Sequence, residues 1–188
     1  NDRLNEWERI DSAGYSLPVS TEALELSSVL KTENEIRSYR VHGYIQDSYT
    51  YLDEDVREIK FTAGIRANYR NVSKEFIISP RAQLLYKPLS WDKDISFKLS
   101  GGIYYQPPIY REMRRLDGTI NLGMRSQRSV HLVGGMSYDF YMKSLSEKPF
   151  RLITEVYYRK MSDLVSYEVD NVRIRYSGEN DAEGYATG

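Results

Sequence analysis

The clearest signal in the chain is an alternation of apolar and polar residues with period two, the side-chain period of a β-strand. From Glu58 to Tyr69 one set reads Ile59, Phe61, Ala63, Ile65, Ala67 and Tyr69, and the interleaved set reads Glu58, Lys60, Thr62, Gly64, Arg66 and Asn68. No helix sorts these residues into two faces. The same split recurs over 38–51, 75–88, 95–105, 129–142 and 150–161, with Asp47, Ile77, Leu85, Val133 and Tyr141 as exceptions. Six long strands are therefore predicted. Each holds roughly ten or more residues, against a globular mean of about 5–6. A tilted strand needs about 9–11 residues to cross a bilayer. Pro80 lies inside one of them, where it lacks a ladder donor, so a bulge or weak pairing is expected there.

The connections differ at the two ends. Short polar turns fall near Leu52–Arg57, Pro88–Asp94 and Ser144–Pro149. At the opposite end Arg70–Lys74 is short, but Gln106–Arg128 is long, and 162–183 reads as an extended loop region. Short turns on one side and mostly long loops on the other are the pattern of an outer-membrane barrel. Aromatics on the apolar faces gather in two rows. Tyr49, Tyr51, Tyr86, Phe97, Phe140 and Phe150 lie toward the short turns, and Tyr39, Tyr69, Phe76, Tyr105 and Tyr158 toward the other end. Aromatic girdles of this kind mark the two water–lipid boundaries of a membrane barrel.

The alternation leaves three architectures open. One is an all-β, antiparallel transmembrane β-barrel segment of up-and-down meander hairpins, belonging to a larger barrel. The second is a soluble β-sandwich that binds carbohydrate or protein, since its strands alternate too. The third is a complete small barrel with a structural role. Residues 1–35 carry a weaker pattern and read as an extracellular loop and first-strand region, with 36–188 as the barrel segment. Asn1–Pro18 reads as loop. Leu24 and Leu26 suggest a strand paired with 38–51, or a short helix from Thr21 to Leu30. The chain reads as a piece from the middle of a longer polypeptide.

Composition narrows the function classes. A net charge of −1 implies no broad basic surface, so nucleic acid is not an expected partner. The chain lacks cysteine, which removes disulfides, thiolate metal sites and cysteine nucleophiles. No apolar run approaches the ~18 residues of a spanning helix, a fact that leaves β-barrels untouched. His42 and His131 are the only histidines and fall on the polar faces of different strands, with no converging ligands, so no metal or other cofactor is expected. No nucleophile–base set or carboxylate pair is placed by spacing, and no enzymatic activity is predicted. The polar faces carry Arg40, Arg66, Arg81, Lys98, His131, Arg151, Glu155 and Arg159, which would point into a wet lumen and line a substrate path or solvate it. Tyr110, Arg111, Glu112 and Arg114 sit in the long loop, where binding residues concentrate, and are candidate ligand contacts; a solvated surface turn is the other reading.

Taken in order, the residues resemble a known family. Tyr44-Ile45-Gln46-Asp47 is similar to the "Y-x-Q-D" strand of TonB-dependent outer-membrane transporters, and Gly64-Ile65-Arg66 to the "G-x-R" strand after it. Ser79-Pro80-Arg81 and Tyr86-Lys87-Pro88 resemble the next strand and turn, and Gly101, Tyr105-Gln106-Pro107-Pro108 and Tyr110-Arg111-Glu112 the strand rising into a long extracellular loop. Gln127-Arg128-Ser129, His131 and Gly135 resemble the return strand, and Glu155 to Lys160 with Asp163-Leu164, Asn180 and Gly184 complete the order. The resemblance covers the chain from about residue 39 onward. It lacks the plug domain, the TonB-contacting box and the terminal aromatic strand. It implies a barrel of about 22 strands with a plugged lumen, of which this chain supplies roughly a third. It further implies outer-membrane lipid, the plug and TonB as partners of the parent protein, and import of a scarce ligand such as an iron chelate, cobalamin, a glycan or a peptide.

Overall fold

The computed structural model describes residues 2–11, 26–115, 117–142, 144, 147–170 and 173–188, with side chains from Thr32 onward except at 170 and 173. These residues hold no helix. They form β1 (Asp2–Asp11), β2 (Leu26–Ile36), β3 (Arg40–Asp53), β4 (Arg57–Arg70), β5 (Glu75–Pro88), β6 (Asp94–Gln106), β7 (Gln127–Phe140), β8 (Phe150–Asp170) and β9 (Arg173–Thr187). Strands β3 to β9 make one seven-stranded sheet in sequence order, and every neighbouring pair is antiparallel. The fold is thus an up-and-down meander. β1 and β2 form a separate two-stranded antiparallel sheet.

Five of the six expected strands lie within two residues of β3 to β7 at each end, and the sixth starts where β8 starts. The sixth runs on, however. The stretch 162–183, expected to be loop, is a hairpin made by the upper half of β8 and by β9. Its ladder is irregular, with register shifts between Met161 and Tyr167, and Asp163 adopts φ 55° within it. At the N-terminus, Asp2–Asp11 is strand where loop was expected, and 12–18 lie outside the described residues. β2 pairs with β1 and not with β3, and residues 26–30 of the alternative helix are extended; 21–25 lie outside the described residues.

Register carries the side-chain pattern across the sheet. Ile65 sits between Ile45 and Pro80, and Leu99 between Leu84 and Gly134. Apolar residues therefore stay on one face through β3 to β8. That face is not covered: Phe61, Ile65, Leu99 and Leu132 are 47–52% exposed. Buried hydrophobic side chains among the described residues are Ile36, Ile77, Met113 and Met124. Met113 and Met124 belong to the 106–128 loop, and Met113 Sδ receives a contact from Arg70 Nη2 at 3.4 Å. What core there is lies at the long-loop end, against the polar face.

Pro80 has the expected effect on one side only. The β4–β5 ladder passes through Ile65–Pro80 without a shift, so no bulge forms. The β5–β6 ladder runs from Tyr86–Phe97 to Arg81–Gly102 and stops beside Pro80. β6 continues pairing with β7 up to Gln106–Gln127. β5 and β6 therefore part above Arg81, which opens a cleft in the sheet.

Candidate functional site

The polar face is built by parity, and all eight residues singled out for it share it. The cross-strand row Gln46, Gly64, Arg81, Gly102, His131, Arg159 runs through six strands. Arg66 faces Tyr44 and Ser79, and Arg40 faces Arg70. Lower down, Lys98, Gly135 and Glu155 form a row, and Asp139 faces Arg151.

Six of the eight divide into two groups by what they touch; Lys98 and Glu155 belong to neither. Toward the short turns, Arg151 meets Asp139 in a bidentate pair, Nε to Oδ1 and Nη2 to Oδ2, both 2.6 Å. At the β7–β8 end of the six-strand row, Arg159 Nε donates to Ser129 Oγ at 2.9 Å, and that oxygen lies 2.7 Å from His131 Nε2. Tyr104 packs its ring on His131 with centroids 4.6 Å apart. Each of these side chains thus has a polar partner on its own face.

The second group lines the cleft above Arg81. Arg40, Arg66 and Arg81 surround it, with Asn68, Ser79 and Tyr104 as further polar groups. Its volume is about 310 Å³. Arg81 Nη2 donates to Gln46 Oε1 at 2.7 Å, and Arg40 and Arg66 make no hydrogen bond or ion pair among the described residues. Among the described residues, no carboxylate lines the cleft.

The four loop residues are engaged within the chain. The Arg70 guanidinium lies 5.9 Å from the Tyr110 ring centroid. Arg111 Nη2 donates to the Ile174 carbonyl at 3.2 Å and its guanidinium lies 5.9 Å from the Tyr176 ring centroid. Glu112 Oε2 accepts from Ile109 N and Gln127 Nε2. Arg114 forms an isolated bridge with Ile120. Of the four, Arg111 ties the 106–128 loop to the β8–β9 hairpin. Further ties are Arg115 Nη2 to Glu179 Oε1 at 2.8 Å, Arg125 Nη2 to Asp163 Oδ1 at 2.7 Å, and Asn180 Nδ2 to the carbonyls of Arg125 and Asp163 at 3.1 and 2.7 Å. Glu75, on the polar face of β5, accepts from Ser126 N and Oγ. The loop therefore folds over the polar face.

Arg70, expected in the turn after the second strand, is instead the last residue of β4. It is 3% exposed, and its Nε and Nη1 atoms are buried without a hydrogen-bond partner. Its even-numbered parity with Arg66 and Asn68 was the available signal. Among the described residues, no group of histidines and acids is placed to hold a metal ion.

A scan against protein-family models, a search of curated proteins and a search of solved structures found no match for the chain.

Proposed function

We propose that the chain is part of the barrel wall of a TonB-dependent transporter in a bacterial outer membrane. One observation carries this reading: a one-layer sheet of long strands has its apolar face open across Phe61, Ile65, Leu99 and Leu132 while arginines and hydrogen-bonded networks occupy the other face. A sandwich would have to seal those same residues into a dry centre. Lengths agree with a membrane. Phe76 and Tyr86 stand ten positions apart on β5, roughly 33 Å along a strand, or about 25 Å high at a tilt of ~40°. That is the height of an outer-membrane apolar band. Aromatic contacts at the short-turn end, Tyr86 with Phe97 and Phe140 with Phe150, suit its lower boundary.

In this reading the polar face lines a lumen filled by the plug of the parent protein, and the 106–128 loop with the β8–β9 hairpin stands outside the cell. The work done is import of a scarce ligand, coupled through TonB. The chain itself performs no chemical reaction. The test is a deletion of the parent gene, grown with ferric chelates, cobalamin, glycans or peptides as the limiting nutrient. A defect confined to one class, reproduced by loss of inner-membrane energy coupling, supports import. Normal growth on every class, with the protein recovered in the soluble fraction, refutes it.

A further inference from the structure

We propose that the cleft between β5 and β6 is a binding site for a small, multiply charged oxyanion bearing carboxylate or phosphate groups. Three arginines converge there, on three neighbouring strands, with no acid among the described lining residues. Arg40 and Arg66 hold guanidinium groups that no described residue engages, whereas Arg151 on the same face is held by a carboxylate through two bonds. Like charges so arranged repel one another, and a bound anion removes that cost. Guanidinium groups grip carboxylate and phosphate oxygens in pairs, which makes them the fitting donors.

Arg70 adds to the field. It stands directly across the ladder from Arg40, buried, with two guanidinium nitrogens unpartnered. Glu75 faces it in register and attracts it, but spends its hydrogen bonds on Ser126 and gives none to the guanidinium. Arg70 does not itself line the cleft, and its positive charge beside Arg40 adds to the attraction that a bound anion would feel.

Shape supports a small ligand. The volume, about 310 Å³, lies at the low end of small-molecule sites. Ile77, Ile103 and Tyr105 give it apolar walls beside the arginines, and Asn68, Ser79 and Tyr104 supply neutral hydrogen-bonding groups. Pro80 keeps the cleft open, because the β5–β6 ladder ends beside it.

This inference deepens the importer reading, since it gives the lumen wall a preference for anionic cargo, but binding itself can be measured without transport. The parent protein in detergent is titrated calorimetrically with citrate and with inorganic pyrophosphate, with acetate and glucose as controls. Saturable binding of citrate or pyrophosphate is expected, weakening as salt is raised. Arg66→Gln and Arg40→Gln should each weaken it about tenfold, the loss of one charge-assisted hydrogen bond. Arg151→Gln, on the same face but paired with Asp139, should leave it unchanged. Absence of binding, or equal effects from all three variants, overturns the proposal. Should neither anion bind while an acidic segment of the parent protein crosslinks to Arg66→Cys, the cleft belongs to that segment and not to a ligand. Because the growth test does not depend on these titrations, failure of the anion site and failure of the importer reading are separable.

Discussion

Arg81 reaches across an entire strand to bond Gln46: its Nη2 donates to Oε1 at 2.7 Å, and the residue between them in register is Gly64. The missing side chain makes the bond possible. A Cβ on Gly64 would lie 3.1 Å from the Ile45 carbonyl oxygen and 3.2 Å from Gln46 Cβ.

Gly64→Val should therefore destabilise the sheet by about 1–3 kcal/mol, the usual range for overpacking. Gly134 on the apolar face has nothing within 4 Å of the same position, so Gly134→Val should be neutral or mildly stabilising, as a β-branched residue in a strand. Urea unfolding of the refolded protein in detergent compares the two. Equal losses would mean that glycine is needed for backbone reasons and not for the Arg81–Gln46 crossing.

Ile65→Arg should cost about 2–4 kcal/mol if that face meets acyl chains near the midplane, and Arg66→Ala far less. Refolding into lipid vesicles measures both. The neighbouring residues differ by one position and opposite parity, so strand propensity cannot account for a large gap.

The 106–128 loop should loosen when its ties to the β8–β9 hairpin are cut. Asn180→Ala removes side-chain bonds to Arg125 and Asp163, worth about 0.5–1.5 kcal/mol each. Tryptic cleavage near Arg114 and Arg115 should accelerate about tenfold or more if two such bonds gate opening. Glu179→Gln weakens an exposed ion pair with Arg115 and should change the rate little.

Asp117 gives a pH signature in the same loop. Its Oδ1 accepts from Thr119 Oγ1 at 2.6 Å and Thr119 N at 2.9 Å, and these bonds hold the carboxyl below its ordinary value. A depressed carboxyl stabilises the turn above the unfolded pKa, and the contribution is lost as pH falls through the folded one. The Thr119 amide resonance should therefore titrate below the normal aspartate range, and Thr119→Val should move that midpoint upward. An unchanged midpoint would show that the hydroxyl bond does not act on Asp117.

Much of the sheet was legible because alternation and register say the same thing. Once Ile65 and Arg66 are assigned to opposite faces, pairing must preserve that split in every neighbour, or one residue of slip would invert a whole strand. The hairpin at 162–183 was hidden for the same reason in reverse. Register shifts between Met161 and Tyr167 break the parity, so Leu164 and Val165, adjacent in sequence, disguise the strand. Leu4, Trp7 and Ile10 in β1 likewise share no common parity. Within the candidate site, the arginines were visible singly. Their division into partnered side chains and an open cluster depends on where the β5–β6 ladder stops, which Pro80 hinted at but did not locate.

The most direct measurement uses the absence of cysteine in this chain. Single substitutions Ile65→Cys, Leu99→Cys and Leu132→Cys, and Arg66→Cys, Lys98→Cys and Glu155→Cys, carry a fluorophore on the parent protein, with any cysteine outside this chain replaced by serine, in vesicles containing brominated lipid. Quenching at the first three positions and none at the last three is the predicted result. Equal quenching at all six, or a protein that stays monomeric in water without detergent, would contradict a lipid-facing apolar wall.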